Sequence, residues 1–269
     1  MIRQVPSASG MSVRIGSLRR RLLPNGRVDF LRQFCLFAGA YLLYRLVEGW
    51  VGGQAGPAFR HANEIISFER SLHVFVEPHI QAWAAGSHVL LVIATYVYLN
   101  AQTTLIVGAL LYLYIVHNRN YYFVRNMLIV AMAIALVCYA FYPTAPPRFL
   151  NEWGFVDTDS WITGMSSTGR AQNLFVNSYA AVPSMHVAFA VMLAWPLSRL
   201  VRLRALRVFW ALWPVLITFI TIITANHFLV DAVLGVATAA VAAAVARSLA
   251  LIRPHDWALE LRGSSVAAT

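Results

Sequence analysis

Six apolar runs, at about 30–50, 82–117, 126–142, 182–200, 208–225 and 229–252, are the strongest constraint on what this chain of 269 residues can fold into. A helix needs roughly 20 apolar residues to cross the hydrocarbon core of a bilayer. Charged residues make up 12% of the chain and hydrophobic ones 59%, where a soluble domain carries about 25% charged residues. The expected fold is an all-α, polytopic membrane helix bundle of about six transmembrane helices, with extracytoplasmic interfacial helices, in one membrane domain. No soluble domain, internal repeat or low-complexity segment interrupts it.

The formal charge is +10, and every one of the 21 basic residues is arginine. A basic chain raises nucleic-acid binding first. Here the arginines fall in short segments between apolar runs, which fits membrane topology, and no nucleic-acid partner is expected. Residues 1–29 are polar and basic, with no apolar core to mark a removable signal peptide. They are expected to form a cytoplasmic arm. Arg119, Arg125, the stretch from Arg199 to Arg207 and the tail 254–269 should share that side. Six crossings satisfy all of these, and 30–253 becomes the transmembrane catalytic domain. Segments 51–80, 143–181 and 225–228 then face the other side of what would be the plasma membrane in a bacterium. The run 82–117 is too long for one upright helix, so one crossing at about 98–117 is expected, preceded by a helix in the interface. The amphipathic, aromatic segment 57–81 suits an interfacial helix as well. The loop 143–181, with Trp153, Trp161 and Tyr179, is expected to cap a site. Cys35 and Cys138, both inside apolar runs, read as small core residues with no disulfide or metal spacing.

Three short motifs carry chemistry. His227 and Asp231, four residues apart on a helix, share a face. The carboxylate can accept Nδ1–H and leave Nε2 as a nucleophile; the plainer reading is an aspartate stabilising a helix start. Pro183 to His186 starts a helix, whose free amides and Ser184 hydroxyl face any anion there. His186 can protonate a leaving alkoxide; the plainer reading is an ordinary capped helix with an incidental histidine. Pro143 to Arg148 ends another helix, and the prolines hold Arg148 at the surface on the side of both histidines. A guanidinium fork clamps phosphate oxygens, although interfacial arginines also snorkel.

In this order the motifs resemble the type 2 phosphatidic acid phosphatase superfamily. The matching text is Ala145-Pro146-Pro147-Arg148, Tyr179 to His186, and Ala225 to Asp231. With the stretches Phe68-Glu69-Arg70 to Glu77-Pro78 and Tyr121 to Arg125, the chain looks most like the branch containing fungal inositol phosphorylceramide synthase and its bacterial relatives. The resemblance covers roughly 60–240. It implies a six-helix bundle with a metal-independent site that uses no cofactor. His227 would attack phosphorus, Asp231 would orient it, and His186 would serve as acid and then base. Ser184 and Arg148 would hold the phosphoryl oxygens.

Two departures bear on the substrate. The family's phosphatase motif has a lysine seven residues before the Arg148 position and an arginine six before the nucleophile. This chain has Phe141 and Thr221 there. Fewer cations suit a singly charged phosphodiester better than a monoester, although Arg170 in the cap can restore one charge. The expected activity is transfer of a phospho-headgroup, such as phosphoinositol, from a phospholipid to an alcohol. The alternatives are hydrolysis of phosphatidic acid-like or polyprenyl phosphates by water and, more distantly, a transporter, since intramembrane His and Asp also form proton relays. A catalytically dead structural member is a further alternative.

Overall fold

The computed structural model describes residues 23–51, 55–164, 178–253 and 256–258. Among them the chain is helical, with only an isolated bridge between Thr144 and Ala180 outside helices and turns. The helices are α1 (Gly26–Val51), α2 (Ala55–Ser71), α3 (Glu77–Ala85), α4 (His88–Val116), α5 (Asn118–Phe141), α6 (Thr158–Thr163), α7 (Met185–Leu200), α8 (Arg204–Ile223) and α9 (Leu229–Ile252). Helices α1, α4, α5, α8 and α9 are long and apolar enough to cross a membrane, and α7 is a shorter apolar helix. Their outward faces carry bare Leu43, Val215, Val233 and Leu251. Such apolar surface is stable only against lipid. The protein is an integral membrane protein built as a polytopic helical bundle.

Both histidine motifs, the exit of α5, and α2, α3 and α6 gather at one end. At the other end Asn25 binds Asn118 and Tyr122, at 3.2 and 2.6 Å, and Trp257 packs edge-on against Tyr122. Arg125 belongs to this far end but is fully buried. Its guanidinium is covered by protein. It donates to Gln33, to Asn126, and to the carbonyl of Ala258 at 3.0 Å. Buried charge persists when its donors are filled in this way, and here the contacts stitch the chain's last described turn to α5.

The run 82–117 divides differently from the expectation. One continuous helix, α4, covers 29 residues, about 43 Å at 1.5 Å per residue. It crosses once and extends beyond the hydrocarbon core. The break falls at Gly86–Ser87, where Ser87 caps the helix by accepting from the Leu90 amide at 3.3 Å, so residues 88–97 form no separate interfacial helix. The expected amphipathic segment is two helices, α2 and α3. They turn at His73, whose φ is +58°, and Phe68 and Trp83 stand exposed. Cys35 is also exposed, on the outer face of α1, and Cys138 is half-buried; neither is a core residue.

The close approach of α9 to α7 sets the site. A Cβ added at Gly235 would lie 2.5 Å from the carbonyl oxygen of Ser184 and 3.3 Å from the amide of Ala188. Only glycine allows this separation, so the small residue serves packing within one chain. Gly235→Ala is expected to lower stability by about 1–3 kcal/mol and to depress turnover by displacing the start of α7. Gly39→Ala and Gly108→Ala, whose new methyl groups meet open space, should do neither. Thermal unfolding and activity in detergent check both.

Candidate active site

His227 precedes α9 by two residues and is not on the helix itself. The turn that carries it leaves α8 through Ala225, whose φ is +50°. This left-handed conformation strains a residue bearing a side chain. The amides of Asn226 and His227 fold back onto the carbonyl of Thr221, at 2.9 and 3.3 Å. The imidazole is 4% exposed.

His227 Nδ1 lies 2.9 Å from the carbonyl oxygen of Ala181 and 3.4 Å from Asp231 Oδ2. A carbonyl only accepts, so Nδ1 carries the proton and Nε2 keeps its lone pair. The nearer partner of Nδ1 is thus a backbone oxygen, and the carboxylate expected from sequence stands second. Ala181 is itself fixed, because its amide donates to Thr144 O at 3.3 Å and Thr144 donates to Tyr179 O at 2.8 Å. Asp231 Oδ2 accepts the Phe228 amide at 2.9 Å and so shapes the turn that holds the imidazole. Burial lowers the pKa of His227 to about 3 and the charge of Arg148 pushes the same way, against the Ala181 hydrogen bond. The ring is neutral at physiological pH.

His186 sits on the first turn of α7, and its ring lies 5.8 Å from that of His227, centre to centre. It stacks on Tyr98 at 4.1 Å, and its Nε2 approaches the Tyr98 carbonyl at 3.2 Å. Tyr98, from the middle of α4, had no signal in the sequence. Ser184 is the N-cap of α7, its Oγ accepting from the Val187 amide at 3.4 Å, and its own amide donates to the main-chain oxygen of Asp231 at 3.0 Å. The two helix starts are thereby locked together.

Arg148 enters from a 3-10 turn, Pro147–Phe149, whose Arg148 amide donates to Ala225 O at 2.8 Å. Its guanidinium donates through Nη1 to Asn226 Oδ1, and its Nε lies 3.9 Å from Asp157. Asn226 is almost fully buried. Its amide nitrogen also donates to Thr224 Oγ1 at 3.0 Å. It thus ties the arginine to the residue next to His227, a role that sequence reasoning missed. Arg148, Ser184, His186, His227 and Asp231 come together at one end of the bundle. Arg170 lies outside the described residues. Phe141 points outward, 83% exposed, and Thr221 is buried with its hydroxyl on Thr218 O at 2.8 Å, so neither supplies a cation. Arg45 of α1 is paired with Glu48 at 2.6 Å. Among the described residues no cluster of three or more His, Cys, Asp or Glu side chains is arranged to hold a metal ion.

The PAP2 superfamily family model matches residues 63–245, the stretch containing all of these motifs. The chain belongs to the PAP2 superfamily. No curated protein and no solved structure matches it. Membership points to a membrane enzyme that cleaves or transfers phosphate on lipids. The match begins after α1, so Arg45 and Glu48 lie outside it.

Proposed function

We propose that the protein is a lipid phosphotransferase of the extracytoplasmic membrane surface, working through a phosphohistidine at His227. The observation that carries this reading is the protonation pattern: Ala181 O takes Nδ1–H, so the Nε2 lone pair is free beside a second histidine. In the first step Nε2 attacks phosphorus and the bond to the lipid oxygen breaks. His186, entering the step as an imidazolium stabilised by the bound phosphate anion, gives that oxygen its Nδ1 proton, so phosphatidylinositol would release diacylglycerol and leave phosphoinositol on Nε2. In the second step His186 takes the proton of an acceptor alcohol, whose oxygen attacks phosphorus and breaks the P–N bond. With Nε2–H of His186 on the Tyr98 carbonyl, Nδ1 is the nitrogen that exchanges this proton. Arg148, the Ser184 hydroxyl and the first amides of α7, which lack intrahelical acceptors, hold the phosphoryl oxygens. Asp231 sets the turn and supports the imidazole. Arg170 remains a proposed further contact from the cap.

Charge balance favours a diester donor. Arg148 is offset by Asp157 and Arg45 by Glu48, and the two positions that carry cations in the family's phosphatase motif are uncharged here. A singly charged phosphodiester needs less compensation than a monoester close to two negative charges. The purified protein, given labelled phosphatidylinositol and, separately, labelled phosphatidic acid, is expected to move the headgroup of the first to an alcohol. Inorganic phosphate released from the second, with no transfer from the first, would make it a phosphatase.

A further inference from the structure

Two buried glutamates stand behind the His227 turn. Glu69 of α2 and Glu77 of α3 are both fully buried. Glu77 Oε1 accepts the Leu229 amide and Glu69 Oε1 accepts the Val230 amide, each at 2.8 Å. With Asp231 on the Phe228 amide at 2.9 Å, three carboxyls close three consecutive amides at the start of α9. Those three amides are filled, whereas at the start of α7 the one side-chain contact among the described residues is Ser184 Oγ on the Val187 amide. Phosphate therefore has one helix start to bind, not two.

Among the described residues the second oxygens, Glu69 Oε2 and Glu77 Oε2, are buried with no donor to bind. The amides they hold, Leu229 and Val230, are consecutive, so the two carboxyls stand side by side, and each charge acts on the other. As two carboxylates they would repel, each with an orphaned oxygen. One proton between them turns one oxygen into a donor and satisfies both. We propose that Glu69 and Glu77 share a single proton and act as positioning residues for His227, holding the start of α9 so that the imidazole two residues before it keeps its place. This rests on the reading of His227 as the nucleophile.

Burial raises the carboxyl of Glu69 well above the usual carboxylate range. The Val230 amide opposes this shift, and the charges of Glu77 and Asp231 add to it. Those two are the charged groups that face it, with His227 beyond Asp231. The folded state holds this proton more tightly than the unfolded chain. The pair's contribution to stability is therefore complete below the range of free glutamate and is lost as pH rises through the raised value.

Glutamine imitates the protonated partner, accepting the backbone amide and donating to the remaining carboxylate. The test follows the wild type, Glu69→Gln, Glu77→Gln, the double glutamine variant and Glu69→Ala from neutral to alkaline pH. Thermal unfolding and 15N-histidine spectra are recorded together with turnover on phosphatidylinositol. The single glutamine variants should keep at least about a third of neutral turnover and the Nδ1-protonated signal of His227. They should also lose the alkaline fall in unfolding temperature that the wild type shows. The double glutamine and the alanine variants should lose tenfold or more in kcat with KM little changed, and the Nδ1-protonated signal should weaken. A wild type whose unfolding temperature is flat into the alkaline range, or single glutamine variants that fall as it does, would overturn the shared proton. Glu69→Ala with an unchanged His227 signal would overturn the positioning role. A wild type that behaves as expected in both physical readouts but turns over no lipid phosphate would contradict the enzymatic reading alone.

Discussion

His227→Ala is expected to lower turnover by about four orders of magnitude or more, as removal of a positioned nucleophile does elsewhere. The size of the effect follows from the geometry. Nε2 is the one ring nitrogen of His227 left without a proton, on a ring that Ala181 holds in place. Asp231→Asn should cost less than loss of the imidazole, because the nearer partner of Nδ1 is a backbone oxygen that the substitution leaves in place. Its main damage should come through the Phe228 amide, for which an asparagine oxygen is a weaker acceptor than a carboxylate. Initial rates on phosphatidylinositol check both, with unfolding temperature recorded to separate chemistry from folding. If Asp231→Asn were as damaging as His227→Ala, the carboxylate would be the orienting group after all.

Arg148→Lys is the second large effect, a loss of about 10²–10³-fold in kcat despite the retained charge. Arginine presents several donors in one plane. Here one of them is used on Asn226 and Nε faces Asp157, which fixes the plane and leaves the other donors for phosphate. A lysine has a single nitrogen on a flexible stem. It can satisfy Asn226 or the phosphoryl oxygens, not both in one geometry. Asn226→Ala removes the tether and keeps the fork, and should cost up to about 10²-fold through misplacement alone. Kinetics of the two variants and their combination test this: a double variant little worse than Arg148→Lys is expected, since both act through one guanidinium.

The bundle was legible because apolar length is a local property. Runs such as 208–225 and 229–252 announce helices whatever surrounds them, and Ser87 is an N-cap that helps set where α4 begins. The burial of Arg125 was not legible for the opposite reason: the residue stands at the end away from the histidines, and its cover, the 256–258 turn, is a long-range fact. At the site, Arg148, Ser184, His186, His227 and Asp231 come together from the starts of α7 and α9 and the exit of α5. What holds them was not legible. Ala181 acts through its carbonyl, which every residue possesses. Tyr98 lies inside a uniform apolar helix. Glu69 and Glu77 meet amides more than a hundred residues away, and nothing in their spacing announces it.

The central claim, a covalent bond between phosphorus and His227, is tested most directly by trapping. Purified protein is mixed with phosphatidylinositol labelled with phosphorus-32, without an acceptor alcohol, and quenched in alkali. The account predicts label on the protein that survives alkali, is released by acid, maps to the peptide containing His227 and disappears in His227→Ala. Label that persists in His227→Ala, or maps to another residue, or lipid turnover with no labelled protein under rapid quenching, would contradict it.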